Sequence, residues 1–305
     1  MKYWVLSFLF LFPQRELHAQ TQVQPAQYPS PMKEHIRKHE RVQQDTTRGR
    51  TIKLENLLSS PVAMYIPEQF KKNAAVDLLI HFHGSAGIVA YAAELYKGNI
   101  ITVTVNLGSG SGVYSRAFPS GQEFKLMEEA LWEEIAKQTG NHKQGKLILT
   151  GFSAGYGAIR SILSTERGFE KTNTVILLDG LHSGYIPDRK VLAEGGVIDS
   201  VLLEPFLQFA LKALEKDSDK KFLFTHSEIF PGTFVSTTEC AEYLTRKLNL
   251  KAEPILEWGP LGMQQISRVK KGKVEIMGFA GNSAPDHVDH FHGLYYFLNR
   301  SLKLR

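Results

Sequence analysis

The stretch Lys146–Ala158, KLILTGFSAGYGA, decides the fold of this 305-residue chain. Its first half holds an apolar run, Leu147–Thr150, whose length and composition predict a short buried strand. Its second half begins a pattern, Ala154–Leu163, that predicts a helix. Ser153 lies between them with a glycine two residues to either side, which lets a strand and a helix approach each other closely. The stretch therefore predicts a strand, a tight turn that carries Ser153, and a helix.

A serine in a Gly-x-Ser-x-Gly turn between a strand and a helix is typical of a catalytic nucleophile. The helix that follows directs backbone N–H groups and the positive end of its dipole toward the serine hydroxyl. These groups stabilise the oxyanion that forms when the hydroxyl attacks a carbonyl carbon. We therefore expect Ser153 to be a nucleophile and the N–H group of Ala154 to be one oxyanion donor.

The second oxyanion donor is expected after another apolar run, Val76–Phe82, which predicts a strand. This run leads into the sequence HGSAG at residues 83–87, a glycine turn of the kind that presents a backbone N–H group to a nucleophile. The N–H group of Ser85 is the predicted donor. We expect His83 to hold this loop through hydrogen bonds and to take no part in proton transfer.

A general base is expected near the end of the chain, after the predicted strand Lys273–Phe279. Three histidines follow that strand. His287 lies where the pattern predicts a loop, whereas His290 and His292 fall where it predicts that a helix has begun. A loop position reaches over the edge of a sheet more readily, so His287 is the preferred base and His290 the alternate. No second histidine-rich group with ligand spacing occurs, so no metal site is predicted.

The carboxylate that orients the histidine has two candidates. Asp179 ends the apolar run Thr174–Leu178, and Glu228 follows the run Phe222–Thr225. Both lie between Ser153 and the histidines, in the chain order nucleophile, acid, histidine. Asp179 is preferred because it ends a strand next to that of the nucleophile and has no cationic neighbour in sequence. Glu228 is retained as the alternate.

These motifs, in this order, resemble those of the α/β-hydrolase superfamily, and in particular its esterase-like and lipase-like serine hydrolases. The resemblance covers residues 51–305 and implies an α/β fold: a mostly parallel eight-stranded sheet with helices on both faces. Strands and helices that alternate along the chain independently predict a parallel sheet, because parallel strands need crossover helices. The eight predicted strands are Thr51–Leu57, Pro61–Ile66, Val76–Phe82, Ile100–Val105, Lys146–Thr150, Thr174–Leu178, Lys221–Thr225 and Lys273–Phe279.

The resemblance further implies that the nucleophile follows strand five, the oxyanion loop strand three and the histidine strand eight. In most members the acid follows strand seven, but the positions expected for it here, Ile229–Pro231, are not acidic. Some lipases of the superfamily place the acid after strand six, which agrees with Asp179. The implied reaction is cleavage of a carboxylic ester through an acyl-enzyme, without a cofactor, on a small-molecule or polymer-borne ester.

The chain begins with Met1-Lys2, followed by an apolar run and a polar stretch that ends in Leu17-His18-Ala19, a pattern typical of an export signal. We expect residues 1–19 to be a signal peptide, too short in its apolar part for a stable membrane span. Residues 20–50 are poor in apolar side chains and are predicted to be a disordered or linker segment. Residues 51–305 then form the catalytic domain, and the protein is expected to be secreted or periplasmic.

The net charge of +5 is spread along the chain, and aromatic residues are not interleaved with its basic pairs, so no nucleic-acid partner is predicted. The loop after Ile100–Val105 is expected to border the active site. Tyr114 and Arg116 in this loop are predicted to bind substrate, with Arg116 available to an anionic group. Two alternatives stay open: a serine peptidase of the same fold, and a binding protein that keeps the fold without a complete triad.

Overall fold

A computed structural model describes residues 47–304. The predicted signal peptide and most of the predicted linker, residues 20–46, lie outside the described residues. The last residues assigned to the linker already belong to the fold, because Arg50 begins the first strand and the N–H group of Gly49 donates to the Tyr65 hydroxyl at 2.7 Å. Within residues 47–304, no helix is both long enough and apolar enough to cross a membrane.

The central sheet of the described residues has ten strands, in the order β1-β2-β4-β3-β5-β6-β9-β12-β11-β10. Six central neighbours, from β4 to β12, run parallel, and the strands outside them pair antiparallel. Two further short strands, β7 and β8, pair only with each other. The strands are β1 Arg50–Leu54, β2 Val62–Ile66, β3 Val76–Phe82, β4 Ile100–Val105, β5 Gln144–Phe152, β6 Thr172–Leu178, β7 Tyr185–Ile186, β8 Val197–Ile198, β9 Lys221–His226, β10 Glu253–Trp258, β11 Gln264–Lys271 and β12 Val274–Phe279.

All eight predicted strands are present, but the predicted size of the sheet is wrong. The chain adds β10 and β11 as an antiparallel hairpin at one edge, beside β12. Strand β10 has no buried residue, and the side chains of Leu256 and Trp258 are each 75% exposed. A strand of this kind shows neither an apolar run nor a regular alternation, which is why the pattern did not predict it.

Helices cover both faces of the sheet. The β-branched and apolar strand residues alternate between the two faces, because successive side chains of a strand point in opposite directions. In β3, for example, Leu78 and Ile80 belong to one core and Leu79 to the other. The helices are α1 Ala86–Glu94, α2 Ser111–Arg116, α3 Gln122–Thr139, α4 Tyr156–Leu163, α5 Glu166–Lys171, α6 Glu204–Leu214, α7 Thr237–Lys247, α8 Ala284–His292 and α9 Leu294–Ser301.

The two cores are unequal. Helices α1, α8 and α9 pack on one face, while α2, α3, α4, α6 and α7 contribute buried side chains to the larger core on the other. Parallel strands all end at the same edge of a sheet, so the turns after β3, β5, β6, β9 and β12 meet there. The fold therefore brings the predicted site residues, which follow these strands, to one edge.

Candidate active site

Ser153 lies on a strained turn. Strand β5 ends at Phe152, a single 3₁₀ turn covers Ser153–Gly155, and α4 follows directly. The φ angle of Ser153 is 46°, in the left-handed region that side chains other than glycine rarely adopt. Gly155 is required by close packing, since a Cβ atom there would lie 2.0 Å from the Phe82 carbonyl oxygen. The turn thus holds the serine at the carboxyl end of the sheet between a strand and a helix.

Asp179 and His287 form a hydrogen-bonded pair beside this turn. Asp179 follows β6 and also has a left-handed φ angle, 41°. The distance from Asp179 Oδ2 to His287 Nδ1 is 2.6 Å, and both side chains are buried. With Nδ1 donating to the carboxylate, Nε2 is the nitrogen that can accept a proton.

Three further groups hold the Asp179 carboxylate. Oδ1 accepts from the backbone N–H of Ser227 at 2.9 Å and from the Thr237 hydroxyl at 2.6 Å, and Oδ2 accepts from the Ser227 hydroxyl at 2.6 Å. Burial by itself would raise the pKa of Asp179, but His290 and His287 together with these hydrogen bonds hold that pKa far below its usual value. Asp179 is therefore a carboxylate at neutral pH.

His287 lies on a helix, so the prediction that it occupies a loop is wrong. Helix α8 begins at Ala284, because the Ser283 hydroxyl accepts from the backbone of Asp286 and the Asp286 carboxylate accepts from the backbone of Ser283. This capping box starts the helix one turn earlier than the apolar pattern suggested. The His287 ring packs 4.6 Å from that of Phe152, the residue before the nucleophile.

The alternate residues lie elsewhere. His290 Nδ1 is 2.7 Å from the Thr225 hydroxyl, and burial lowers the pKa of His290 to about 4. Glu228 is exposed, and its carboxylate accepts from the backbone of Gly281 at 3.1 Å. His292 is buried further along α8. Within residues 47–304, no three His, Cys, Asp or Glu side chains are grouped as a metal ion would require.

Two cavities meet at Ser153. The larger, about 540 Å³, is lined by residues that include Ala154, Tyr156, Arg160 and Leu202. The smaller, about 200 Å³, is lined by Asp179, His287, Ile229 and Pro231 among others. Ser153, His182 and Phe234 line both cavities. A substrate that spans both would therefore place its reacting bond at Ser153.

No hydrogen bond joins Ser153 to His287 within the described residues. The Nε2 atom of His287 is buried and has no hydrogen-bond partner among residues 47–304, and both side chains line the smaller cavity. Contacts of this kind are often long without substrate and shorten when it binds. Nε2 is thus free to take a proton from a hydroxyl that turns toward it.

The two predicted oxyanion donors lie at helix starts. Ala154 is part of the 3₁₀ turn, where the first N–H groups of a helix lack an intrahelical acceptor, and it lines the larger cavity. Ser85 is the residue before α1, in the turn after β3. His83 holds that turn: its Nδ1 atom is 2.9 Å from the Tyr114 hydroxyl, and its carbonyl oxygen is 3.0 Å from His81 Nε2. Burial lowers the pKa of His83 to about 4.

Neither of the two residues predicted to bind substrate lines a cavity at Ser153. Tyr114 is fully buried under the loop, where its hydroxyl contacts His83 and the backbone of Leu107. Arg116 ends helix α2 with an exposed side chain and lines neither cavity at Ser153. Residues two apart on a helix point in different directions, so α2 directs Tyr114 into the core and Arg116 to solvent.

The order of the strands and the places of the site residues together decide the fold family. The turn with Ser153 follows β5, Asp179 follows β6 and His287 follows the last parallel strand, β12. The chain has the α/β-hydrolase fold. No family model and no curated sequence matches the chain.

Solved structures with this fold resemble the chain at low identity. An acetyl xylan esterase from Aspergillus awamori is 13% identical with a TM-score of 0.44, over 82% of this chain and 100% of its own. The feruloyl esterase module from Clostridium thermocellum is 11% identical with a TM-score of 0.47, over 86% and 90%. An acylaminoacyl peptidase from Pyrococcus horikoshii is 14% identical with a TM-score of 0.44, over 84% and 41%. Likenesses at this level say nothing about which bond the chain cleaves.

Sequence reasoning missed Ser227, Thr237 and Arg160. Ser227 and Thr237 follow β9 and begin α7, and nothing in their local sequence indicates that they face a carboxylate on another strand. Arg160 could have been found, because it lies seven residues after Ser153 on the helix that the serine begins. A helix places residues at this spacing on the same face.

Proposed function

We propose that this chain is an exported serine hydrolase that cleaves carboxylic esters with Ser153, His287 and Asp179. The observation that carries the proposal is the buried Asp179–His287 pair, which shares a cavity with a serine on a strained strand-to-helix turn. A structural ion pair explains neither the free Nε2 atom of His287 nor the left-handed serine. The support for a binding protein with an incomplete triad was the absence of an acid after strand seven. In the proposed triad the carboxylate is that of Asp179, which follows β6.

The proposed reaction has two halves. His287 Nε2 takes the proton from Ser153 Oγ as the oxygen attacks the ester carbonyl carbon, and the N–H groups of Ala154 and Ser85 stabilise the oxyanion. The imidazolium then gives its proton to the departing alcohol oxygen, which leaves an acyl-enzyme. His287 next takes a proton from water, whose oxygen attacks the acyl carbon. The bond from that carbon to Ser153 Oγ then breaks, His287 returns the proton to Oγ, and the carboxylic acid leaves. Asp179 stays ionised throughout and stabilises the imidazolium.

Release of alcohol from esters, compared with release of amine from matched amides, tests this proposal. We expect the purified protein to hydrolyse short-chain esters such as 4-nitrophenyl butyrate, with a burst of one nitrophenol per chain where deacylation is slow. Ser153→Ala is expected to abolish both the burst and the steady rate. Faster cleavage of 4-nitroanilides than of the matched esters would favour the peptidase alternative.

The proposal of export rests on the sequence of residues 1–19. Expression of the full chain in a bacterial host, followed by N-terminal sequencing of the exported fraction, is expected to give a chain that begins at Gln20. A cytoplasmic product that still begins at Met1 would contradict export without touching the enzymatic proposal.

A further inference from the structure

The larger cavity beside Ser153 contains one arginine. Arg160 lies on α4, seven residues after Ser153, and its side chain forms part of the wall of the 540 Å³ cavity. The guanidinium carbon lies 5.5 Å from the centre of the Tyr156 ring, and Nη2 is 3.3 Å from the Ser115 hydroxyl. Both contacts are neutral, so they position the guanidinium without cancelling its charge.

Other partly buried arginines of the fold have carboxylate partners. Arg300 pairs with Glu275 at 2.7 Å, Arg268 with Glu257, and Arg167 with Glu128 at 3.0 Å. Within residues 47–304, no ion pair joins Arg160 to a carboxylate. Among the described residues, Arg160 thus lines the cavity of Ser153 with its charge unpaired, as a residue that binds an anionic group would.

The rest of the cavity wall supports this interpretation. No Asp or Glu lines the larger cavity, nor the groove of about 420 Å³ on the other side of Arg160. Two other ionisable groups lie in the wall. Burial raises the pKa of Tyr156 and lowers that of His182, so both side chains are uncharged at neutral pH, and His182 Nδ1 donates to the Val235 carbonyl oxygen. Asp179 lines only the smaller cavity.

We propose that Arg160 binds a carboxylate at the far end of the acyl group, so that the preferred substrates are esters of dicarboxylic acids with one free carboxylate. This inference rests on the proposed function. The acyl group is assigned to the larger cavity because His287, which gives a proton to the departing alcohol, lines the smaller one. The smaller cavity, walled by Ile229, Pro231 and Phe234, then receives the alcohol.

The length of the acyl group follows from the helix. The 3₁₀ turn Ser153–Gly155 and the first turn of α4 separate the Cα atoms of Ser153 and Arg160, a rise of about 10 Å. The Cα–Cβ bonds of a helix tilt toward its N-terminus, so the long arginine side chain reaches back toward Ser153. The proposed substrate accordingly carries its carboxylate three or four carbon atoms from the ester carbonyl. The planar guanidinium can hold it through two parallel hydrogen bonds.

Methanol release from monomethyl glutarate and from methyl valerate tests the proposal, because the two acyl groups have the same number of carbon atoms and differ in charge. We expect kcat/KM to be about 10- to 100-fold higher for the glutarate, the range for hydrogen bonds to a charged group. Arg160→Gln should bring the ratio near one or below while changing the rate on methyl valerate less than about 3-fold. Arg160→Lys should restore part of the preference. Arg116 is an exposed arginine on α2, so Arg116→Gln is the matched control and should keep the full ratio.

Three outcomes would overturn the inference. A ratio near one in the wild-type protein, or a ratio that survives in Arg160→Gln, would each show that Arg160 does not select the carboxylate. A preference confined to the carboxymethyl ester of butyric acid, in which the carboxylate belongs to the alcohol, would overturn the assignment of the acyl group. In all three cases Ser153-dependent hydrolysis of methyl valerate leaves the proposed function standing, whereas hydrolysis of none of these esters would remove both.

Discussion

His287 and His290 lie three residues apart on the same buried helix and face different surroundings. His287 donates to an ionised carboxylate through Nδ1 and leaves Nε2 without a partner among the described residues. His290 contacts the hydroxyl of Thr225, and burial lowers its pKa to about 4. The contrast teaches that burial alone makes a histidine an uncharged packing residue. A carboxylate on one ring nitrogen and a free second nitrogen are what would make it a base.

The largest expected difference between these two histidines is in catalysis. His287→Ala should lower kcat/KM on 4-nitrophenyl butyrate by at least about 10⁴-fold, because the serine loses its base. His290→Gln should lower it by less than about 10-fold, since its Nδ1 atom bonds to the Thr225 hydroxyl and not to the Asp179 carboxylate. Near-ultraviolet circular dichroism of both variants controls for folding. A greater loss in the His290 variant would reverse the assignment.

The next largest expected difference is in kcat, between variants of the two candidate acids, Asp179 and Glu228. Asp179→Asn should lower kcat by about 10³- to 10⁴-fold, because the amide no longer stabilises the imidazolium and favours the wrong tautomer. Glu228→Gln should change it less than about 2-fold, since its carboxylate is exposed and contacts only a backbone N–H group. Steady-state kinetics of the two isosteric variants provide the measurement. Equal losses would mean that Asp179 is only a structural carboxylate.

A smaller effect is expected at the groups that hold Asp179. Thr237→Val removes a 2.6 Å hydrogen bond to Oδ1 and should cost about 1.5–3 kcal/mol of stability and about 10-fold in kcat. Thr245→Val on the same helix is the matched control, because its hydroxyl bonds only to the Ala241 carbonyl oxygen. Urea unfolding and kinetics together separate the two roles. An unchanged kcat in Thr237→Val would mean that the bond does not position the carboxylate for catalysis.

The smallest expected effect concerns pH and stability. The folded protein binds a proton at His290 only near pH 4, whereas the unfolded chain does so near pH 6.5. Between pH 6.5 and pH 4 the unfolded chain therefore binds this proton and the folded protein does not. The free energy of unfolding falls as the pH falls through this range. His290→Gln should reduce the slope of unfolding free energy against pH by up to about 1.4 kcal/mol per pH unit there. Equal slopes in the wild-type protein and in His290→Gln would contradict the buried neutral state.

The sequence predicted those parts of the fold that depend on apolar runs. Strands β3 and β4 begin and end where their runs do, because both are buried on both faces of the sheet. Strand β10 could not be predicted, since its side chains are mostly exposed and its pairing with β11 is set by distant residues. Local signals therefore specify the middle of the sheet and leave its edge undetermined.

The site was predicted to a similar extent. The residues that share the edge of the sheet, Ser153, Asp179 and His287, each follow a strand, which the sequence could indicate. Their mutual distances depend on contacts between elements far apart in the chain, such as the bond from Thr237 to Asp179. The helical position of His287 was missed although its capping box is visible in Ser283 and Asp286. Tyr114 and Arg116 were chosen by loop membership alone, and a short helix turned both away.

The most direct test of the central claim is the labelling of residues 20–305 with a fluorophosphonate probe, read by intact mass and peptide mapping. Such probes react with serine hydroxyls that an adjacent base activates. We predict a single adduct on Ser153 that disappears in Ser153→Ala, becomes very slow in His287→Ala and persists in His290→Gln. An unlabelled but folded wild-type protein, or equally fast labelling in His287→Ala, would contradict the account.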